Sequence, residues 1–281
     1  MTTKGERLEV LMTRGIRLLV IAGVTLAAVL GIMALPPIPQ SQDYHNFADQ
    51  RALLGIPNSL NVISNAAFLL AGALGLLILS REQGSTLGGA FAERAEQWPY
   101  AILFLGVALT GLGSAYYHLA PDNSRLVWDR LPMAIAFTAI LSAIIAERIS
   151  VTAGLWSLGP LVAAGIGSVV YWHVAELGGR GDLRPYILVQ FYPMLAIPLI
   201  MFLFPSRYTR SADLLGAAAL YALAKAFEAF DTQIFAVGRV VSGHTLKHLT
   251  AAMAAYLILR MLHKRRPLAA HFRSASANPE A

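Results

Sequence analysis

The sequence contains no cysteine. That excludes a disulfide framework and a thiolate metal site, so any transition metal here must be held by His, Asp, Glu or water. Charge is scarce as well. Only 14% of the 281 residues are Asp, Glu, Lys or Arg against 56% hydrophobic residues, too apolar for a soluble domain of this size and typical of a multi-span membrane protein. Long polar stretches are missing, and no link between apolar segments is large enough for a second domain. The net charge of +6 does not argue for a nucleic-acid partner, because the basic residues gather at the two chain ends, where membrane orientation accounts for them.

What the chain does have is a series of apolar runs about 17–20 residues long, the length that crosses ~30 Å of hydrocarbon as helix. Eight of them fall near 18–35, 62–79, 99–117, 131–146, 155–174, 186–204, 214–230 and 244–262, and they predict an all-α, polytopic membrane protein. Turn formers and charges separate them: Pro36-Pro37, Gly88-Gly89, Pro121-Asp122-Asn123, Gly178-Gly179 and Pro205-Ser206. Lys4, Arg7, Arg14 and Arg17 precede the first run, while Arg260, Lys264, Arg265, Arg266 and Arg273 close the last. Both termini are therefore expected on the cytoplasmic side, which requires an even number of spans, and a bacterial inner membrane is the expected location. The first run also has the basic start and apolar middle of a cleaved signal peptide. Its length and the lack of a small-x-small cleavage pattern favour a retained span.

This topology brings distant residues to one side. The third run ends in Ser114-Ala115-Tyr116-Tyr117-His118, the fourth follows Trp128-Asp129-Arg130, and the eighth opens with His244-Thr245-Leu246-Lys247-His248. Residues four apart share a helix face, so His244 and His248 can bind one ion together, and Ser114 lies one turn from His118. Imidazole at the rim of a hydrocarbon layer is costly without a partner, and His118, His244 and His248 together read as a metal site. Three imidazoles leave a fourth position open, which distinguishes a catalytic zinc from a structural one. Asp129 is the candidate to take a proton from zinc-activated water and deliver it to a leaving group, and Ser114 the candidate donor to an oxyanion. The expected chemistry is hydrolysis of an amide or ester that arrives from the lipid phase.

Each residue also has a plainer reading. His45, His173, His263 and His271 are expected to be interfacial hydrogen-bonding anchors. Ser114 alone could bond back to its own helix, and Asp129 alone could be a helix N-terminal charge or a partner of Arg125 or Arg130. Lys225 and Glu228 are expected to pair within the seventh run. Asp231 is a candidate acceptor for a histidine ring N–H, and Lys247 is expected to face away from the metal.

The order Ser-x3-His, an Asp eleven residues after that His, and His-x3-His opening the last helix resembles the alkaline ceramidase family of integral-membrane hydrolases. That family belongs to the wider CREST superfamily, with adiponectin-type receptors and haemolysin-III-like proteins, and the His118-to-Asp129 interval favours the ceramidase branch. The stretch Asn58-Ser59-Leu60-Asn61-Val62-Ile63-Ser64-Asn65 also resembles the family's approach to its first core helix. The likeness divides the chain into an extra basic helix (1–42), a seven-helix hydrolase core (43–263) and a basic cytoplasmic tail (264–281).

What the resemblance implies is a zinc amidase that cleaves the N-acyl bond of a ceramide-like membrane lipid to a fatty acid and a sphingoid base. His118, His244 and His248 match its zinc ligands, Asp129 its proton-transferring carboxylate and Ser114 its oxyanion donor. Some relatives carry calcium. The corresponding residues here, Asp43, Asn46, Asp49 and Asn58, offer fewer carboxylates, and the first three serve equally well as turn caps in an outer loop. Two other readings stay open: a receptor-like or haemolysin-III-like protein with a mainly structural zinc, and a haem protein using two of the histidines as axial ligands.

Overall fold

The structure, a computed structural model, describes residues 4–82 and 89–268, so that Gly88, His271 and Arg273 lie outside the described residues. All eight apolar runs are helical. In chain order the helices are α1 (Lys4–Ala34), α2 (Ser59–Ile63), α3 (Ala66–Glu82), α4 (Gln97–Leu119), α5 (Asn123–Arg148), α6 (Val151–Leu177), α7 (Arg184–Leu203), α8 (Ala212–Ala229), α9 (Asp231–Gly238) and α10 (Gly243–Lys264), with no strand among the described residues. The chain is an all-α polytopic membrane protein. By length and composition six segments can cross a bilayer: α1, α2 with α3, and α4 to α7. The other two long helices, α8 and α10, carry Asp213, Lys225 and Glu228, and Lys247, Arg260 and Lys264, which lower their hydropathy. They pack along each other, and α10 closes against α3.

Around that pair, α4 lies between α3 and α5, and α5 also packs on α6 and α7. The core between these helices holds Tyr100, Phe104, Ala139, Ile144, Ile200 and Leu262, all buried. In a lipid solvent apolar burial gains little, so close contact decides which faces meet. One contact sets the register of the functional helices. A Cβ on Gly113 of α4 would lie 1.9 Å from the Trp128 carbonyl of α5. Pro132, inside α5, has no N–H to bond that carbonyl four residues earlier, which leaves it free to face the neighbouring backbone.

Two boundaries differ from the sequence expectation. The second run is broken at Ser64–Asn65 into α2 and α3, where the Ser64 hydroxyl and Asn65 Nδ2 both donate to the Asn61 carbonyl in place of the helical backbone bond and Ser64 also meets His248 of α10. The fourth begins at Asn123, well before its apolar stretch, because the Asp122 side chain caps it by accepting from the Arg125 N–H at 2.7 Å. Asp129 thus lies inside α5 rather than ahead of it.

The ends of the bundle are tied by charge. On one side Arg184 donates to the Met33 and Leu35 carbonyls at 3.1 and 2.6 Å and pins the end of α1 to α7. Asp182, between α6 and α7, fixes that guanidinium at 2.8 Å, and the same hydrogen bonds lower its carboxyl pKa to about 2. On the other side Arg265 departs from its expected place in the basic tail. It is fully buried, paired with Glu147 and enclosed by the rings of Phe91, Tyr100 and Tyr208. Its basic neighbours Lys264 and Arg266 hid this role. The Arg266 carbonyl in turn accepts from the Thr209 N–H at 3.0 Å, so the described part of the tail folds back on the bundle.

Candidate metal centre

His118 ends α4, and His244 and His248 occupy the first two turns of α10, whose start is capped by Ser242 accepting from the Thr245 N–H at 3.2 Å. Gly243 lets this end approach α8, since a Cβ there would sit 2.2 Å from the Phe227 carbonyl. The three imidazoles then meet. Each offers a ring nitrogen, all within 4.8 Å of one another, and each residue is buried. His118 Nε2 and His244 Nε2 are 3.3 Å apart. Two nitrogens on a tetrahedral zinc with bonds of 2.0–2.1 Å are separated by about 3.3–3.4 Å, so the pair already has the spacing of one tetrahedral edge.

The tautomer of His248 follows from its neighbours. Ser64 Oγ lies 2.8 Å from His248 Nδ1 and 3.2 Å from the Asn61 carbonyl. The hydroxyl has one proton, and the carbonyl can only accept, so Ser64 donates to Asn61 and accepts from His248 Nδ1–H. The Nε2 lone pair is left for another use, and that buried atom has no hydrogen-bond partner. A buried imidazole nitrogen without a partner is unfavourable, and a metal ion satisfies it. The residues therefore fit a three-histidine metal site.

The polar segment around α2 builds this arrangement. Asn58 Nδ2 donates to the His118 carbonyl at 2.9 Å, and Thr245 Oγ1 donates to Asn61 Oδ1 at 2.8 Å. One short stretch thus holds the last turn of α4 and the first of α10. On one side Phe47 covers the cluster, its ring centroid 4.5 Å from those of both His118 and His244. Asp231 accepts from the backbone N–H of His244 at 2.7 Å and of Ala48 at 2.9 Å. It fastens the covering loop to α10, and the ring contact expected of it is not made.

Ser114, Asp129 and His248 line one cavity of about 260 Å³. His118 and His244 stand behind His248, on the Phe47 side. The cavity extends away from them between α4, α5, α7, α8 and α10 past Val107, Met133, Met194, Ala217 and Ile258. From Lys247 to Ile258 it follows α10 for eleven residues, or ~16 Å at 1.5 Å per residue. That is about half of a ~30 Å hydrocarbon core, the depth of one leaflet.

Other sequence candidates fall differently. Lys247 does not face away: it lines the cavity, 3.4 Å from His244 Nε2 and 2.7 Å from Glu228 Oε1. Lys225 and Glu228 pair within α8 as expected, and Glu228 also accepts from Tyr44 at 3.3 Å. The calcium candidates differ in their surroundings. Both Asp49 oxygens are bonded to Arg51, which lowers the pKa of that carboxyl, and Asn58 is committed to His118. Asp43 and Asn46 are exposed, the first at the start of a 3-10 turn (Gln42–His45) capped by Ser41 and the second at its end. His45 is an anchor, bonded to Tyr117 and Asn123. Sequence reasoning did not single out Ser64, Phe47 or Tyr44, although it marked both segments that carry them. Comparison of the chain with protein-family models, with curated proteins and with solved structures gives no match.

Proposed function

We propose that the protein is a zinc-dependent amidase of the membrane that hydrolyses the N-acyl bond of a ceramide-like lipid to a fatty acid and a sphingoid base. The observation that carries this reading is a cluster of three imidazole nitrogens whose member His248 lines, together with Asp129 and Ser114, an apolar cavity as deep as one leaflet. His118, His244 and His248 would hold the metal. When bound, zinc supplies Lewis-acid activation of water and of an acyl carbonyl.

The remaining steps belong to side chains. An apolar cavity that meets a polar end draws the acyl chain inward and leaves the amide beside Asp129 and Ser114. Water adds to the amide carbon as the C–N bond breaks, and Asp129 takes the proton released by the water and passes it to the departing nitrogen. Ser114 lines the same cavity as Asp129 and carries a hydroxyl proton to donate. It can give a hydrogen bond to the carbonyl oxygen as negative charge develops there, a contact stronger in the transition state than in the ground state. Phe47 and the loop that carries it close the aqueous side, so the site is served from the lipid. The orientation proposed is both termini in the cytoplasm and the site toward the opposite face of a bacterial inner membrane.

The experiment is to purify the full chain in neutral detergent, measure bound metal, and follow fatty-acid release from ceramide and other N-acyl lipids. Release that a chelator abolishes and zinc restores supports the proposal. Stoichiometric zinc with no release from any lipid amide would sink it and favour a receptor-like protein with a structural metal.

A further inference from the structure

Charge on the cavity wall is not balanced. Three cations, Arg130, Lys225 and Lys247, stand against two carboxylates, Asp129 and Glu228. Glu228 is shared, with Lys225 on its own helix and Lys247 reaching it from α10. Arg130 is held by neutral groups instead. Its Nη2 donates to Gln40 Oε1 at 2.5 Å, and its guanidinium lies 4.3, 4.8 and 5.5 Å from the ring centroids of Trp172, Tyr186 and Tyr44. These contacts fix the plane of the group without neutralising it. The residue is only 5% exposed, and its Nη1 is buried with no hydrogen-bond partner.

A buried guanidinium with an unmet donor is unfavourable, and an oxyanion corrects both the missing hydrogen bond and the excess charge. Its planar fork matches carboxylate and phosphate oxygens, and a guanidinium already immobilised by three rings loses little further freedom on binding one. Position selects the part of the ligand involved. Arg130 follows Asp129 in the chain, so its anion lies at the polar end, on the amine side of an amide whose acyl chain fills the apolar remainder.

We propose that Arg130 is a specificity residue that recognises an anionic group, carboxylate or phosphate, on the amine portion of the N-acyl lipid, and that acidic N-acyl lipids are the preferred ligands of this cavity. A role for Arg130 in cleavage rests on the amidase reading; the binding preference does not.

The test uses the purified full chain in neutral detergent and three ligands with one acyl chain: N-dodecanoyl glycine, N-dodecanoyl ethanolamine and the phosphate ester of the latter. Binding is read by tryptophan fluorescence, since Trp172 stacks on Arg130, and laurate release is measured on the same samples. A charge-assisted hydrogen bond predicts that the anionic ligands bind about 10- to 100-fold tighter than the neutral one. Whichever anionic head binds tighter identifies the source of the oxyanion. Arg130→Gln should collapse the ratio between anionic and neutral ligands, and Arg130→Lys should keep part of it. An anionic preference without release of laurate from any ligand leaves the Arg130 assignment standing and removes the amidase reading. Equal binding of the three ligands by the unaltered protein overturns the assignment whatever is released, even if the variants do not fold. A preference that persists in Arg130→Gln overturns it as well.

Discussion

Replacing Ser64 by Ala should weaken metal binding although Ser64 touches no metal. Its hydroxyl accepts the Nδ1–H of His248 at 2.8 Å in a fully buried setting, which fixes both the ring plane and the tautomer that presents Nε2. Loss of such a supporting bond costs about 10–100-fold in metal affinity. A neutral hydroxyl is a weaker acceptor than a carboxylate, so the expected loss is nearer tenfold, or about 1.4 kcal/mol. The assay is a zinc titration against a chromophoric chelator on the full chain in detergent. Ser80→Ala is the control, since Ser80 bonds only the Leu77 carbonyl of its own helix. His248→Ala marks the loss of a ligand and should weaken zinc binding far more than Ser64→Ala. A Ser64→Ala protein that binds zinc within about twofold of the parent, when His248→Ala does not, refutes the role assigned to the hydroxyl.

Four further outcomes are expected. Asp129→Ala should retain zinc while hydrolysis falls by about 10²–10⁴-fold, the usual contribution of a positioned acid–base group; equal loss of zinc would show that the carboxylate serves the metal instead. Ser114→Ala should lower kcat by about 10²-fold with little change in KM, measurable on any lipid the parent cleaves, because its oxyanion contact forms only as charge develops. Gly113→Ala places a methyl 1.9 Å from a backbone carbonyl that cannot turn aside, forcing α4 from α5 and Ser114 from Asp129. A shift of ~1 Å predicts about 10²-fold slower turnover with metal content preserved, and unchanged turnover would remove this contact from the argument. The last concerns pH. Arg184 depresses the Asp182 carboxyl to about 2 in the folded protein against about 3.9 unfolded, so its stabilisation is complete above pH ~4 and disappears as pH falls toward 2. It amounts to about 1–2 kcal/mol after allowance for the partly exposed partner, and thermal unfolding across that window should show it, with Asp182→Asn flattening the slope.

The sequence by itself determined the compartment and the helix inventory, because the length and apolarity of a run decide whether backbone can be buried in lipid. It also determined the pairing of His244 and His248, since their four-residue spacing is a property of one helix and needs no tertiary information. The interior of each helix was legible for the same reason, and the ends were not: α5 starts at Asn123 through a single capping carboxylate, and the second run breaks where Ser64 serves a histidine on another helix.

Only the tertiary structure decided what the polar residues between the runs are for. Asp49 and Asn58 read as cation ligands in sequence, yet one is neutralised by Arg51 and the other holds the His118 carbonyl. Arg265 lies among basic neighbours and becomes a buried wedge, while Arg130 beside Asp129 becomes a guanidinium enclosed by aromatic rings. A polar side chain in or near lipid is defined by its partner, and that partner lies about 70 to 190 residues away in several of these cases: His45 to Tyr117, Ser64 to His248 and Lys225's partner Glu228 to Tyr44. Hydropathy records the cost of such a residue, but only the packing of α4, α5, α8 and α10 shows which group offsets it.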